Sequence, residues 1–143
     1  MIEQSYKTLK RILDDTFSEF IRLRDTQEGW GICISCGKPT LYDKGDCGHY
    51  IGRGCLALRW SEKNCAFQCR DCNRFKEGNK IGFKKGLIKK HGENVVPLLE
   101  IQQKSNVKYG RFELRTMIDY YKGEILQMKG KRQRPDNAKA LRG

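Results

Sequence analysis

The stretch CISCGKPTLYDKGDCGHYIGRG, residues 33–54, followed by QCRDC at 68–72, decides how this chain is read. Cys33 and Cys36, then Cys69 and Cys72, are two thiol pairs with two residues inside each, set about thirty positions apart. A tight turn between paired cysteines brings both sulfurs within reach of one tetrahedral ion, so the pattern predicts a four-sulfur zinc clasp. The clasp encloses His49, one of only two histidines in the chain. Residues between the two pairs are thereby held close to a fixed point.

The chain has 143 residues, 38% of them apolar, which suits one domain with a modest core, expected over 1–128. No run approaches the roughly 20 apolar residues of a membrane span, so no membrane partner is expected. The opening MIEQSYKTLKR lacks the apolar block of a secretory leader. A cytoplasmic setting follows as an expectation, and there the seven cysteines would stay reduced. Four are assigned to zinc; Cys47, Cys55 and Cys65 read as small buried residues.

Positive charge is concentrated away from the N-terminus. Residues 1–28 carry five Lys and Arg against six Asp and Glu, whereas 129–143 carry six against one, within a net +12. Such a field fits a polyanion, because basic side chains release counterions condensed on a phosphate backbone. A solvated charged surface would show the same composition. The tail KGKRQRPDNAKALRG, 129–143, has almost nothing apolar and is expected to be disordered without a partner.

Leu9, Ile12, Leu13, Phe17, Phe20 and Ile21 recur at helical spacing and predict a helix over 3–25. Residues 46–51 sit among glycines and suit one hairpin arm, with 57–60 as the other. After the second thiol pair the pattern turns helical at Asn73. Asn79 is placed to cap a helix that ends at Lys89, Lys90, His91 and Gly92. A helix near 95–103 tolerates Pro97 in its first turn, and 110–128 carries another. The expected class is α+β.

His49 is the natural proton acceptor, since an imidazole with a pKa of about 6.5 takes and returns a proton near neutrality. Attack on a phosphodiester also needs a hard cation to absorb charge on oxygen. Magnesium, which favours oxygen ligands, needs only one or two protein groups. Asn73, next to the zinc ligand Cys72, offers a carboxamide oxygen, and Asp46 a charge. On composition alone, a lone histidine in a small zinc domain is more often a packed or hydrogen-bonded residue than a catalytic one.

The order Cys-x-x-Cys, Gly-His-Tyr, Leu-Arg-Trp, Glu-x-Asn, Gln-Cys-x-x-Cys-Asn-x-x-Lys-x-Gly-Asn runs from Cys33 to Asn79, flanked by FSEFIRLRD from Phe17 and GLIKKHGE from Gly86. Over about Phe17 to Glu100 it resembles the NinG/Rap recombination endonucleases of lambdoid phages, a branch of the HNH (ββα-metal) nucleases. The resemblance implies a zinc-clasped ββα-metal core with additional N- and C-terminal helices. It implies His49 as general base, Asn64 bracing the loop that orients the imidazole, and Asn73 holding a catalytic Mg2+ or Mn2+. Many HNH nucleases carry an aspartate directly before the histidine as second metal ligand, where this chain has Gly48. Residues two apart on a strand share a face, so Asp46 is the replacement candidate, ahead of Asp71.

Arg53, Arg59, Lys76 and Lys80 are candidates for clamping DNA phosphates, or simply surface charges. Trp30, Trp60, Tyr120 and Tyr121 could stack on bases, with core packing the default. The resemblance further implies branched DNA such as Holliday junctions and D-loops as substrate, phage recombination proteins as partners, and a phage or prophage gene expressed in a bacterial host. Cutting two strands together would suit a homodimer. The rival from another class is a non-catalytic zinc-knuckle module that only binds DNA or RNA.

Overall fold

Ser5 caps the first helix by accepting the Thr8 backbone N–H at 3.1 Å, and α1 runs over Tyr6–Arg24 in a computed structural model that describes residues 3–132. Leu9, Leu13, Phe17, Phe20 and Ile21 of its apolar stripe are buried as the spacing requires. They pack on Leu114, Ile118, Tyr121 and Ile125 of the C-terminal helix α5, Arg111–Arg132. Phe17 and Tyr121 meet edge to face, with ring centroids 5.0 Å apart. The helix expected to stop at 128 continues to Arg132, whose guanidinium reaches the carbonyls of Leu23 and Thr26. The first four residues assigned to the basic tail are therefore helical; the other tail residues, 133–143, lie outside the described part of the chain.

Three short strands follow α1, namely β1 Thr26–Gln27, β2 Trp30–Ile32 and β3 Pro39–Leu41, in an antiparallel sheet ordered β1-β2-β3. A second sheet holds the centre of the molecule. Strand β4, Gly45–His49, pairs antiparallel with β5, Cys65–Cys69, so that His49 faces Cys65 and Asp46 faces Gln68. The expected second arm, 57–60, instead forms most of a short helix, α2, Leu56–Arg59, with Trp60 just beyond its end. The reason lies in burial: all five residues of β5 are buried, and a strand covered on both faces loses the alternation by which strands are recognised.

The expected helix at Asn73 is a single π-helical turn, Asp71–Phe75. True helix resumes at α3, Lys80–His91, capped as the sequence indicates by Asn79, whose side chain accepts the Gly82 N–H at 3.3 Å, and closed at Gly92 with φ of 93°. Helix α4, Val95–Gln103, completes a second core in which Leu58, Ala66, Phe83, Leu87, Val95, Val96 and Leu99 are buried together. Gly82 and Gly86 let α3 lie on the first thiol turn, since a Cβ on either would stand 2.1 Å from the carbonyl oxygen of Ser35 or Ile34. The first thiol turn, the β4/β5 hairpin and α3 thus form one tightly packed unit. No helix among the described residues is long and apolar enough to cross a membrane.

Candidate functional site

The four predicted sulfurs converge. The Sγ atoms of Cys33, Cys36, Cys69 and Cys72 all lie within 4.8 Å of one another, and Cys36 and Cys69 are 3.8 Å apart. A tetrahedron with zinc–sulfur bonds near 2.3 Å has sulfur–sulfur edges of roughly 3.8 Å, so the donor set fits zinc. Local backbone builds it. Gly37, at φ of 77°, closes the first turn by donating to the Cys33 carbonyl at 2.9 Å, and the Cys72 N–H points at the Cys69 sulfur. Burial, with neighbouring Cys72 and Cys33, pushes the Cys69 thiol up to about 12. Four thiolates in so small a volume therefore need a cation to exist together. Asn79 donates to the Cys72 sulfur at 3.3 Å while capping α3, which ties the cluster to that helix.

His49 ends β4 and is half-buried. Its Nε2 is 2.8 Å from the Arg59 carbonyl oxygen. A carbonyl only accepts, so Nε2 carries the proton and the lone pair of the neutral ring lies on Nδ1. Burial, with the charges of Arg53 and Lys80, lowers the ring's pKa against the opposing pull of the Arg59 carbonyl and Asp14. The ring is therefore neutral at pH 7.

The support behind it is polar and well connected. Asp14 of α1 accepts Arg59 Nε at 2.9 Å, Arg59 Nη2 at 2.5 Å and Trp60 Nε1 at 3.0 Å, which anchors the residue whose carbonyl holds His49. Asn64, completely buried, accepts Ile51 N–H at 2.9 Å and donates to the carbonyls of Ile51 at 2.8 Å and Leu58 at 3.0 Å. Its carboxamide thus spans the loop from the end of β4 to α2. The Lys80 ammonium donates to the His49 carbonyl.

Asp46 and Asn73, far apart in the chain, meet with Asn73 Nδ2 at 3.0 Å from Asp46 Oδ2. Arg74 also grips this carboxylate, through Nε and Nη2 at 3.0 Å each, and Arg70 stands at 3.7 Å. Gly48 leaves no room for the acid that the HNH pattern puts there: an added Cβ would lie 2.2 Å from Gln68 Oε1 and 3.0 Å from the Phe83 ring. Asp46, two positions earlier on the strand, places a carboxylate beside Asn73. Turning the Asn73 amide over would present two oxygens to a hard cation. Asp71 is exposed and paired with Lys76 at 3.2 Å.

Asp46, His49 and Asn73 line one cleft of about 630 Å³, with Asp14, Cys47, Arg53 and Arg59. Arg22, Arg70 and Arg74 line it too and were missed from the sequence. The signal available was the spacing of Arg70 and Arg74, four apart around Asn73 in the turn after the second thiol pair. Of the four basic candidates, Arg53 is exposed at the rim, while the Arg59 fork is committed to Asp14. Lys76 lies outside the cleft lining, and Lys80 lines a smaller neighbouring cavity with Tyr50 and Glu100. Trp60 and Tyr121 are buried, whereas Trp30 and Tyr120 are exposed. Cys65 is buried as expected, but Cys47 and Cys55 are only half-buried. A larger cavity, about 730 Å³, is lined by Trp30, Ile32, Phe67 and Lys89 and touches the sulfur cluster through Cys33, but Asp46, His49, Asn64 and Asn73 are not among its lining residues.

The chain is 38% identical over 82 residues to Protein ninG of Escherichia phage lambda, a match covering 57% of this chain and 38% of that protein. It is 37% identical over 86 residues to Protein ninG of Salmonella phage P22, covering 59% and 40%. The match thus spans about two fifths of the length of these curated relatives. No solved structure matches. The family model described as Bacteriophage Lambda NinG protein matches residues 3–131, and the chain belongs to that family.

Proposed function

We propose that this protein is a metal-dependent DNA endonuclease of the HNH type, its zinc structural and its reaction centred on His49. One observation carries the reading: a half-buried neutral imidazole with Nε2–H tied to a backbone carbonyl shares an arginine-rich cleft with a paired carboxylate and carboxamide. In this scheme β4, β5 and the turn at Asn73 followed by α3 serve as the ββα-metal core, and Cys33, Cys36, Cys69 and Cys72 hold zinc away from the chemistry.

His49 Nδ1 takes a proton from water as the water oxygen bonds to phosphorus and the bond from phosphorus to the 3′ oxygen breaks, leaving a 5′-phosphate and a 3′ oxygen that takes a proton from solvent to become a hydroxyl. The Arg59 carbonyl accepts from Nε2 throughout and steadies the imidazolium that forms. Asp46 and Asn73 would hold Mg2+ or Mn2+, which when bound would supply positive charge to the phosphate and leaving oxygen. Arg53, Arg70 and Arg74 supply planar donors for flanking phosphates, and a phosphate that draws Arg74 away uncovers Asp46. Branched recombination intermediates are the proposed substrate, cut by a symmetric pair in company with phage recombination proteins.

The test is cleavage of plasmid and synthetic four-way junctions with magnesium or manganese. His49→Ala and Asp46→Ala should each lower the rate at least a hundredfold while zinc content and DNA affinity persist. Full activity in either variant overturns that residue's assignment. Binding without cutting by the unaltered chain under every metal tried would instead establish the zinc-knuckle binding module.

A further inference from the structure

The hairpin carries a second group of metal-binding side chains, His49 together with two cysteines that the proposed chemistry leaves unused. Cys47 and His49 are alternate residues of β4 and so share a face, and Cys65 stands directly opposite His49 in the register of β5. The two sulfurs and a ring nitrogen all lie within 4.8 Å of one another. The Arg59 carbonyl oxygen that accepts from His49 at 2.8 Å is also 4.0 Å from the Cys65 sulfur, so thiol and ring crowd one spot. Cys65 is fully buried and closes the back of the group, while Cys47 and His49 line the cleft and leave its front accessible.

We propose that Cys47, His49 and Cys65 form a second metal site, which takes a soft or borderline divalent ion such as zinc from the cleft and silences His49 when filled. Two thiolates, one imidazole and an open fourth position are a recognised zinc donor set, reached here by drawing the ligands together by up to about an ångström. The ion's identity follows from the donors. Magnesium and manganese seek oxygen and find it at Asp46 and Asn73, whereas sulfur selects zinc. A neutral imidazole has a single lone pair. Once a metal holds it, whichever nitrogen is used, the ring has none left to accept a proton from water. The two ions are therefore opposed, a hard one supporting cleavage and a soft one blocking it. The metal site stands on its own geometry; the blocking effect rests on the nuclease reading given above.

The experiment uses the full chain under a non-thiol reductant, dialysed against excess zinc and freed of loose metal before elemental analysis. Two zinc ions per chain are expected, and one in Cys47→Ser, a near-isosteric change at a half-buried position. One ion in the unaltered chain at every zinc concentration overturns the proposal, as does a second ion that survives in Cys47→Ser. Zinc inhibition of magnesium-dependent junction cutting is then read against each chain's own zinc-free rate. At a concentration that fills the second site, the unaltered chain should slow at least tenfold and Cys47→Ser less than twofold. Unimpaired cutting with two zinc ions bound overturns the blocking effect. Absence of cutting by the unaltered chain in any metal overturns the nuclease reading instead, and the zinc count still decides whether the site exists.

Discussion

Asn64→Ala removes a side chain that touches no solvent and holds three backbone groups: the Ile51 N–H, the Ile51 carbonyl and the Leu58 carbonyl. Each buried polar group left without a partner costs about 1–3 kcal/mol. The Leu58 contact is fully buried, whereas Ile51 is half-buried and recovers some hydration, so the total comes to about 3 kcal/mol. For a chain of this length that lowers Tm by roughly 10 °C. Urea unfolding at saturating zinc measures it, with the midpoint falling and the slope unchanged. Asn64→Asp is the informative companion. Its carboxylate still accepts from Ile51 but meets two carbonyl oxygens with nothing to donate, so at pH 7 it should be no more stable than the alanine variant. Protonation restores one donor, and the gap should narrow in acid. The loop so braced leads into Arg59, whose carbonyl fixes the His49 tautomer, so in Asn64→Ala the His49 ring should titrate closer to its ordinary value. A loss under about 1 kcal/mol, with the ring's titration unmoved, would refute the bracing role.

Asp25 accepts Arg24 at 2.8 Å, Lys90 at 2.6 Å and the Phe67 N–H at 3.0 Å, joining α1 to β5 and α3. Burial alone would raise its pKa, but these partners outweigh it and hold the carboxyl below the usual range. Its stabilising contribution is therefore complete above about pH 4 and lost as pH falls through the folded value. Acid unfolding should be shallower in Asp25→Asn, by up to about 1.4 kcal/mol per pH unit in that window, at equal zinc occupancy; superimposable acid limbs would contradict this. Chelation should remove zinc from Cys33, Cys36, Cys69 and Cys72 and unfold the hairpin together with α3. A structural zinc contributes about 10–16 kcal/mol in small domains, more than a typical net stability. Circular dichroism and thiol titration follow the change, and four thiols already reactive before chelation would rule out the clasp.

Local signals in the chain were enough for much of this. The spacing within Cys33–Cys36 and Cys69–Cys72 acts over one turn each, and the apolar stripe of α1 and the Asn79 and Gly92 caps of α3 act over a few residues. Those features can be read without knowing the partner element. The α+β class and the four-cysteine cluster that could hold zinc belong to this category. What pairs with β4 does not, because a strand buried on both faces, Cys65–Cys69, carries no alternation, while Leu56–Arg59 is too short to betray its helix. Only the folded chain brings Asp46 to Asn73, Asp14 to Arg59, and Arg59's carbonyl to His49. These contacts join residues up to 45 positions apart, and what forms them is hairpin register and the packing of α1 across the sheet. Sequence alone therefore determined which side chains could bind metal or move a proton. Tertiary structure decided which of them stand together, because long-range proximity depends on cooperative burial rather than on any spacing along the chain.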